Sequence, residues 1–451
     1  MVFPEDGLPN NGDGDDGSRV SQIAIDLNSY AAQCAEHYNF ASAATALRKC
    51  IAMHPKCENF YVSLGGILGD ANKIPEAISV LEKCLEMNPR NAKALGNLAM
   101  VTAKIDYEKS MEIFARALKF APRDVGILWN RACVKGSHGD WSVIDQYEHH
   151  RTKQAMGVDL FKNCPFPYWN GKDDLNGKTL YVQFDQGIGD RVLYSRFVYY
   201  LKQQYPDCTI LASGNERTNC LLWGFQAEGI CTLLPEKIPF PKADVGVYAT
   251  ELAVFEGITP DHVPPDPGLI LRYARPMAKQ MPGMPVPVLR ALKVGVCWTG
   301  NPQMPKNHER SIPFDLIVSL AENPQVALYS LQAGEGAKDI ERIGAHGLIH
   351  SGFGFGADLE QKSLSYTAAR ILNLDLVVTC CTSIAHLAGA LGVPTLLMLC
   401  TDPYWLWTRT GNKTNWYPSV EIFRQTKMYE WNPVIVAVKQ RLREKILQEV
   451  Q

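Results

Sequence analysis

Between residues 23 and 155 apolar residues return every three to four positions, the spacing that puts them on one face of a helix. The segments ALRKCIAMHP, VLEKCLEMNP and IFARALKFAP end at Pro55, Pro89 and Pro122, 34 and then 33 residues apart. A repeat of that length, closed by proline, predicts amphipathic helix pairs stacked into an array, because one pair cannot bury its own apolar face. Cys50 and Cys84 lie one period apart and Ala117 follows, which predicts small packing positions rather than reactive thiols.

From about residue 164 the period changes. KTLYVQFDQGIGDRVLYSRFVYYLKQQYP predicts a buried strand over 180–184, a glycine-containing turn, and a helix with Val192, Phe197, Val198 and Leu201 on its apolar face. TILAS follows as a second strand, and the alternation continues through ICTLLP, ADVGVYA and GLILRYA. The proline-rich stretch PMAKQMPGMPVPV predicts a linker. The alternation then restarts with LKVGVCWTG, VALYSLQ, LDLVVTC with a helix after it, and PTLLML. The fold class is therefore α followed by α/β: a helical array, then two Rossmann-like halves whose strand C-termini face a ligand cleft. The expected boundaries are a tail over 1–20, repeats over 21–160, a first half over 165–285 and a second half over 286–451, ending in a helix from Pro433 to Glu449 that braces the halves.

Composition narrows the partners. The chain has 451 residues, 46% of them hydrophobic, and a formal charge of −2, which offers no basic field for nucleic acid or an anionic membrane. No apolar run approaches the roughly 20 residues of a membrane span. The N-terminus has neither a basic start nor an apolar stretch, so a cytoplasmic location is expected. The 13 cysteines lack paired spacing and read as reduced thiols, with no metal site and no permanently bound cofactor expected. Asp13 to Gly17 resembles part of a calcium loop without its closing Glu, and reads as tail.

Tyr61-x-x-Leu64-Gly65 and, one period on, Leu95-x-x-Leu98-Ala99 resemble the first-helix pattern of tetratricopeptide repeats. In the α/β region Gln183 to Asp190 (QFDQGIGD), Val294 to Asn301 (VGVCWTGN), His308 to Pro313 (HERSIP), Tyr329 to Gln332 (YSLQ) and Thr382 to Gly392 (TSIAHLAGALG) are similar to motifs of GT-B glycosyltransferases related to bacterial heptosyltransferases. More closely, the chain resembles the tetratricopeptide–glycosyltransferase fusions of that superfamily. The resemblance implies a nucleotide-diphosphate sugar as donor, bound mostly by the second half. It further implies a hydroxyl acceptor, glycan, protein or other, facing the first half, and inversion at the anomeric carbon without a metal. It also implies that Asp190 is the general base. At Cys381 the chain departs from its relatives, which carry an acidic residue there to orient donor sugar or acceptor.

The residues themselves point the same way. Gly187 and Gly189 permit a tight turn before a helix. Asp190 either caps that helix or takes a proton from an attacking hydroxyl. Arg310 and Lys306, in the loop NPQMPKNHERSIP, can meet the charge on a leaving diphosphate, with solvated loop charge as the alternative. Trp298 could stack on a base or sugar, or simply pack, and Gly300 and Asn301 beside it would let a pyrophosphate approach. Gln332 ends a strand and is expected at the nucleoside. Thr382 and Ser383 open a helix whose first turn suits a diphosphate, with Cys381 and His386 beside it. Ser351 to Gly356 reads as a flexible rim loop, and the aromatics Tyr404, Trp405, Trp407, Trp416 and Tyr417 as a sugar platform or interdomain packing.

Two other functions compete. The chain could be a non-catalytic nucleotide- or glycan-binding scaffold, with the repeats recruiting a protein partner or a second copy. It could instead be a hydrolase using Cys380 or Cys381 with His386, although His386 lies five residues after Cys381 in the same predicted helix, about one and a half turns on, and nothing in sequence orients the imidazole.

Overall fold

The computed structural model describes residues 20–143, 161–184, 186–213, 216–235, 240–281, 291–304, 306–351 and 363–450. The chain divides into two compact units, Met1–Lys135 and Gly136–Gln451.

The first unit is the expected tetratricopeptide-like array: α1 (Gln22–Glu36), α2 (Phe40–Met53), α3 (Glu58–Asp70), α4 (Ile74–Met87), α5 (Ala92–Thr102), α6 (Tyr107–Phe120) and the start of α7 (Val125–Ser137). Side chains of Ser21, Asn39, Asn91 and Asp106 accept first-turn N–H groups and so fix where four of these helices begin. Cys50, Cys84 and Ala117 occupy equivalent buried positions in α2, α4 and α6, as packing residues. Gly65 has a steric reason, since a methyl group there would overlap Leu81 of the next helix. The sequence expected the array to run to residue 155. Residues 144–155 and the acidic stretch Asp13 to Gly17 lie outside the described residues.

The second unit carries two wholly parallel sheets, as expected of a GT-B architecture. The first half holds β1 (Thr179–Gln183), α8 (Ile188–Gln204), β2 (Thr209–Ala212), α9 (Glu216–Ala227), β3 (Thr232–Leu233), β4 (Val245–Tyr248), α10 (Ala249–Phe255) and α11 (Leu269–Gln280). Its strand order is β3-β2-β1-β4, with Leu180 opposite Ile210 and Val245. Here the sequence reading needs two corrections. GLILRYA lies in a helix: Asp266 Oδ1 accepts the Gly268 N–H at 2.8 Å, and Leu269, Ile270, Ala274 and Ala278 form its buried face. The linker cannot start at Pro276, which sits inside that helix; residues 282–290 are outside the described set.

The second half holds β5 (Leu292–Cys297), α12 (Asn307–Arg310), α13 (Phe314–Val318), β6 (Val326–Ser330), α14 (Asp339–Arg342), β7 (Ile349–His350), α15 (Leu364–Ile371), β8 (Leu376–Cys380), α16 (Ser383–Ala390), β9 (Thr395–Leu399), β10 (Val420–Arg424) and α17 (Asn432–Val450). Strand order is β10-β9-β8-β5-β6-β7, and β8 lies beside β5 with Val294 opposite Leu376. All five residues of β8 and of β9 are buried, as expected of strands covered on both faces.

The two halves share one hydrophobic core, in which Val182, Val192 and Phe197 join Val377, Ile384 and Leu399. The bracing comes from a different place than expected. Helix α17 buries Val434, Ile435, Val438, Leu442 and Ile446 in a cluster made of second-half residues, so it braces that half alone. The halves are tied by the segment after β9, where Trp416 meets Phe197 of α8 edge-on at 6.3 Å. Arg196, fully buried in α8, donates to the Trp416 carbonyl at 3.2 Å. Trp405, Trp407, Trp416 and Tyr417 are all buried, which makes them interdomain packing and not a sugar platform.

Candidate functional site

The first half contributes the start of α8. Gly187 is the N-cap in an extended conformation, which puts Asp190 in the third helical position and not at the cap. Asp190 is half-buried.

The second half contributes the ends of β5, β6 and β8. Beyond β5 the chain is held by side chains from two directions. Gln332 Oε1 accepts the N–H groups of Trp298 and Thr299, both at 3.0 Å, and its Nε2 donates to the carbonyls of Thr299 and Ala333. Asn307 Oδ1 accepts the Gly300 N–H at 3.1 Å and Arg310 Nε at 3.0 Å, while its Nδ2 donates to Thr299 Oγ1. Arg310 Nη1 then reaches the carbonyl of Cys381 at 3.0 Å, across the gap to β8. The guanidinium lies directly against Gly300, where any side chain would collide with it. Asn307 therefore aims Arg310, and Gly300 makes room for it.

At the end of β8 the chain turns through Cys381 and Thr382 into α16. The Thr382 hydroxyl points inward, 3.3 Å from Thr379 Oγ1 and 3.6 Å from Cys297 Sγ, and does not cap the helix. Ser383 is half-buried at the start of α16, where the Ala385 N–H already donates to the Thr382 carbonyl at 3.1 Å. Cys381 Sγ accepts a hydrogen bond from Trp407 Nε1 at 3.2 Å. Burial pushes its thiol up, opposed by Arg310 and reinforced by Asp190, so both charges are felt at one sulfur.

The two helix starts meet. A methyl group on Gly189 of α8 would stand 2.7 Å from His386 Cδ2 and 3.4 Å from the Cα of Ser383 in α16. His386 is buried, stacks near Trp407 with centroids 5.2 Å apart, and pairs its Nδ1 with the Tyr417 hydroxyl at 3.2 Å. Burial, and then Arg196, push its pKa down to about 3, so the ring is neutral.

Gly189, Asp190, Gly300, Arg310, Cys381, Ser383 and His386 are thus gathered at the ends of β1, β5 and β8. Other expected residues are placed differently. Trp298 offers no stacking face, because its ring is buried against Phe314 at 4.5 Å and its Nε1 donates to Asp339. Gln332 spends both ends of its amide on the protein and is a staple between β5 and β6, not a nucleoside contact. Lys306, in the left-handed region at φ 60°, pairs its ammonium with Asp402 at 2.8 Å, and Asp402 also holds Arg409. Asn301 is an exposed turn residue. The glycine-rich run after Ser351 lies outside the described residues. Sequence reasoning missed Asn307, Tyr417 as a partner of His386, and Arg196. Of these only Arg196 carried a signal, as a lone charge within the apolar run VLYSRFVYYL.

The cysteine-hydrolase alternative does not survive this geometry. His386 Nδ1 is engaged by Tyr417, and the Cys381 sulfur faces an indole N–H rather than a base. Among the described residues no cluster of three or more His, Cys, Asp or Glu side chains could hold a metal ion. No helix of the described residues is long and apolar enough to cross a membrane.

No family model matches the chain. It is 24% identical over 460 residues to Protein FlbA of Caulobacter vibrioides, a match that covers 85% of this chain and 72% of that protein. Among solved structures it is similar to a glycosyl transferase family 9 protein from Veillonella parvula, at 12% identity and a TM-score of 0.40 over 61% of this chain and 99% of that one. It is also similar to the E. coli ADP-heptose heptosyltransferase II, at 12% identity and a TM-score of 0.40 over 60% and 100%. A mutant O-GlcNAc transferase from Thermobaculum terrenum spans both units, with 11% identity and a TM-score of 0.31 over 96% and 93%.

Proposed function

We propose that the chain is a metal-independent, inverting glycosyltransferase that moves a sugar from a nucleotide-diphosphate donor to an acceptor hydroxyl. In this reading the acceptor oxygen attacks the anomeric carbon from the face opposite the diphosphate. Asp190 takes the hydroxyl proton as the new C–O bond forms, and the bond to the diphosphate oxygen breaks with its electron pair leaving on the nucleotide. Arg310 and the N-terminus of α16 meet the charge that develops there. The helical repeats recruit the acceptor, a glycan or a protein, or a partner subunit.

One observation carries this reading. Gly189, the residue before Asp190 in the first half, packs against Ser383 and His386 of α16, and Arg310 of the second half reaches the Cys381 carbonyl at 3.0 Å, two residues before Ser383. A base and an anion-binding cation set on opposite walls of one cleft are what this displacement requires. The purified protein, incubated with a panel of nucleotide sugars and candidate glycan and peptide acceptors, is expected to release nucleoside diphosphate from one of them. Asp190→Asn should lower kcat by about 100-fold or more while the protein stays folded. Undiminished turnover in that variant would remove Asp190 from the chemistry.

A further inference from the structure

The hydroxyl of Tyr417 has one acceptor within reach among the described residues, His386 Nδ1 at 3.2 Å. Tyr417 is 1% exposed, which removes its phenol from bulk solvent, and that nitrogen is the acceptor placed to receive the proton. Were Nδ1 itself protonated, the buried phenol O–H would have no acceptor among the described residues. With Nδ1 accepting, the proton of the neutral ring sits on Nε2.

The surroundings keep the ring neutral. His386 is 5% exposed, and the buried Arg196 guanidinium lies 5.1 Å from the centroid of its partner Tyr417, opposing a second positive charge nearby. Arg196 cannot swing away, since Nε donates to Leu193 O and Nη1 donates to Pro264 O and Trp416 O. The opposite edge of the imidazole is turned to the start of α8. There Nε2 is 3.4 Å from the position of a Gly189 Cβ, beside the Ser383 backbone where α8 and α16 both begin.

We propose that His386 is a fixed, neutral Nε2–H donor to a diphosphate oxygen of the bound donor, with Tyr417 the positioning residue that sets its tautomer and Arg196 the residue that anchors Tyr417. The choice of ligand rests on the glycosyltransferase reading; the tautomer does not. A neutral donor suits a site that also holds the Asp190 carboxylate. It lends an N–H to the leaving group and has no titratable proton for the base to take at neutral pH.

The test is imidazole nitrogen NMR on the full-length protein labelled with 15N-histidine, His386 being assigned by the signal lost in His386→Gln. The expected spectrum shows a neutral Nε2-protonated ring from pH 7.5 to pH 5, and Tyr417→Phe should convert it to a mixture of tautomers. Titration with sodium pyrophosphate, ADP and UDP should shift the Nε2–H resonance. An Nδ1-protonated or charged ring in the unliganded protein overturns the proposal whatever the protein does. Saturable binding of any of the three, measured by calorimetry, with no change at Nε2 overturns the donor role and leaves the transferase reading standing. Failure of all three to bind overturns the diphosphate site and the ligand assigned to His386, while the tautomer result still stands or falls by itself.

Discussion

Gly189 of α8 packs against His386 of α16, with 2.7 Å between His386 Cδ2 and the place where a Gly189 side chain would begin. The two halves of the cleft therefore touch through a glycine, whose backbone is ordinary helix. Helix propensity alone favours alanine there by about 1 kcal/mol. The overlap should win, because the imidazole is held from behind by Tyr417 and cannot retreat. Gly189→Ala is expected to cost about 1–3 kcal/mol. At Gly187 the nearest atom is Asp190 Oδ2 at 3.5 Å, and Gly187→Ser should stay within about 0.5 kcal/mol of the parent. Urea denaturation of both variants checks the contrast; equal stabilities would mean the halves part easily at this contact.

Asn307 is the buried residue that aims Arg310, and its two roles can be separated. Asn307→Ala leaves the Gly300 N–H and Arg310 Nε without their acceptor, at a cost of about 1–3 kcal/mol. Asn307→Asp keeps an acceptor for both but adds a negative charge beside the guanidinium. It should preserve stability better than the alanine and still weaken binding of ADP and UDP by about tenfold. Calorimetric titration and thermal melts on the two variants read these separately. An aspartate variant that binds diphosphates as well as the parent would show that Arg310 does not face the ligand.

Much of the architecture was legible because burial imposes a period. The repeat of Cys50, Cys84 and Ala117 marks the inner positions of the array, and the continuous apolar runs VVTC and PTLLML mark strands covered on both sides. GLILRYA misled because a short apolar run fits either a strand or a buried helix face, and the deciding feature was the Asp266–Gly268 turn in front of it. At the site, Gly189 and Ser383 stood out by local spacing at strand ends, whereas Asp190 and Arg310 were preferred through the motifs they lie in, since spacing alone fits Asp190 as a helix cap. The roles of Trp298 and Gln332 were not legible, since they depend on which way a side chain turns. Trp298 meets Phe314 and Asp339, and Gln332 reaches back to β5, through contacts between elements distant in sequence. Asn307 was invisible for the same reason.

Cys381 stands where the resemblance leads one to expect a carboxylate, and its chemistry here is quiet. The thiol is pushed up by burial and its sulfur accepts the Trp407 indole N–H. Alkylation by iodoacetamide at pH 7.5 should therefore be slow relative to free cysteine, because little thiolate is present. Cys381→Ser should change kcat by less than about tenfold, since a hydroxyl can still accept from Trp407. Loss of all turnover in the serine variant, together with fast alkylation of the parent, would reinstate a nucleophilic cysteine.

The neutral state of His386 links the site to the stability of the whole unit. An unfolded histidine takes up a proton near pH 6.5, whereas the folded protein, with His386 held down to about 3, does not. The unfolded state then binds more protons, so stability is fully present above about pH 6.5 and falls with decreasing pH toward 3, by about 1 kcal/mol per unit. Asp266, whose carboxyl is pushed up by burial, works in the opposite sense at the acid end, so the comparison is best made against a variant and above pH 5. Between pH 7 and pH 5 the parent should lose about 2 kcal/mol more stability than His386→Gln, which has no proton to refuse. Denaturant titrations at those two values decide it. Parallel losses in the two proteins would mean that the folded imidazole charges, and the picture of a neutral ring wedged between Gly189 and Tyr417 would have to be given up.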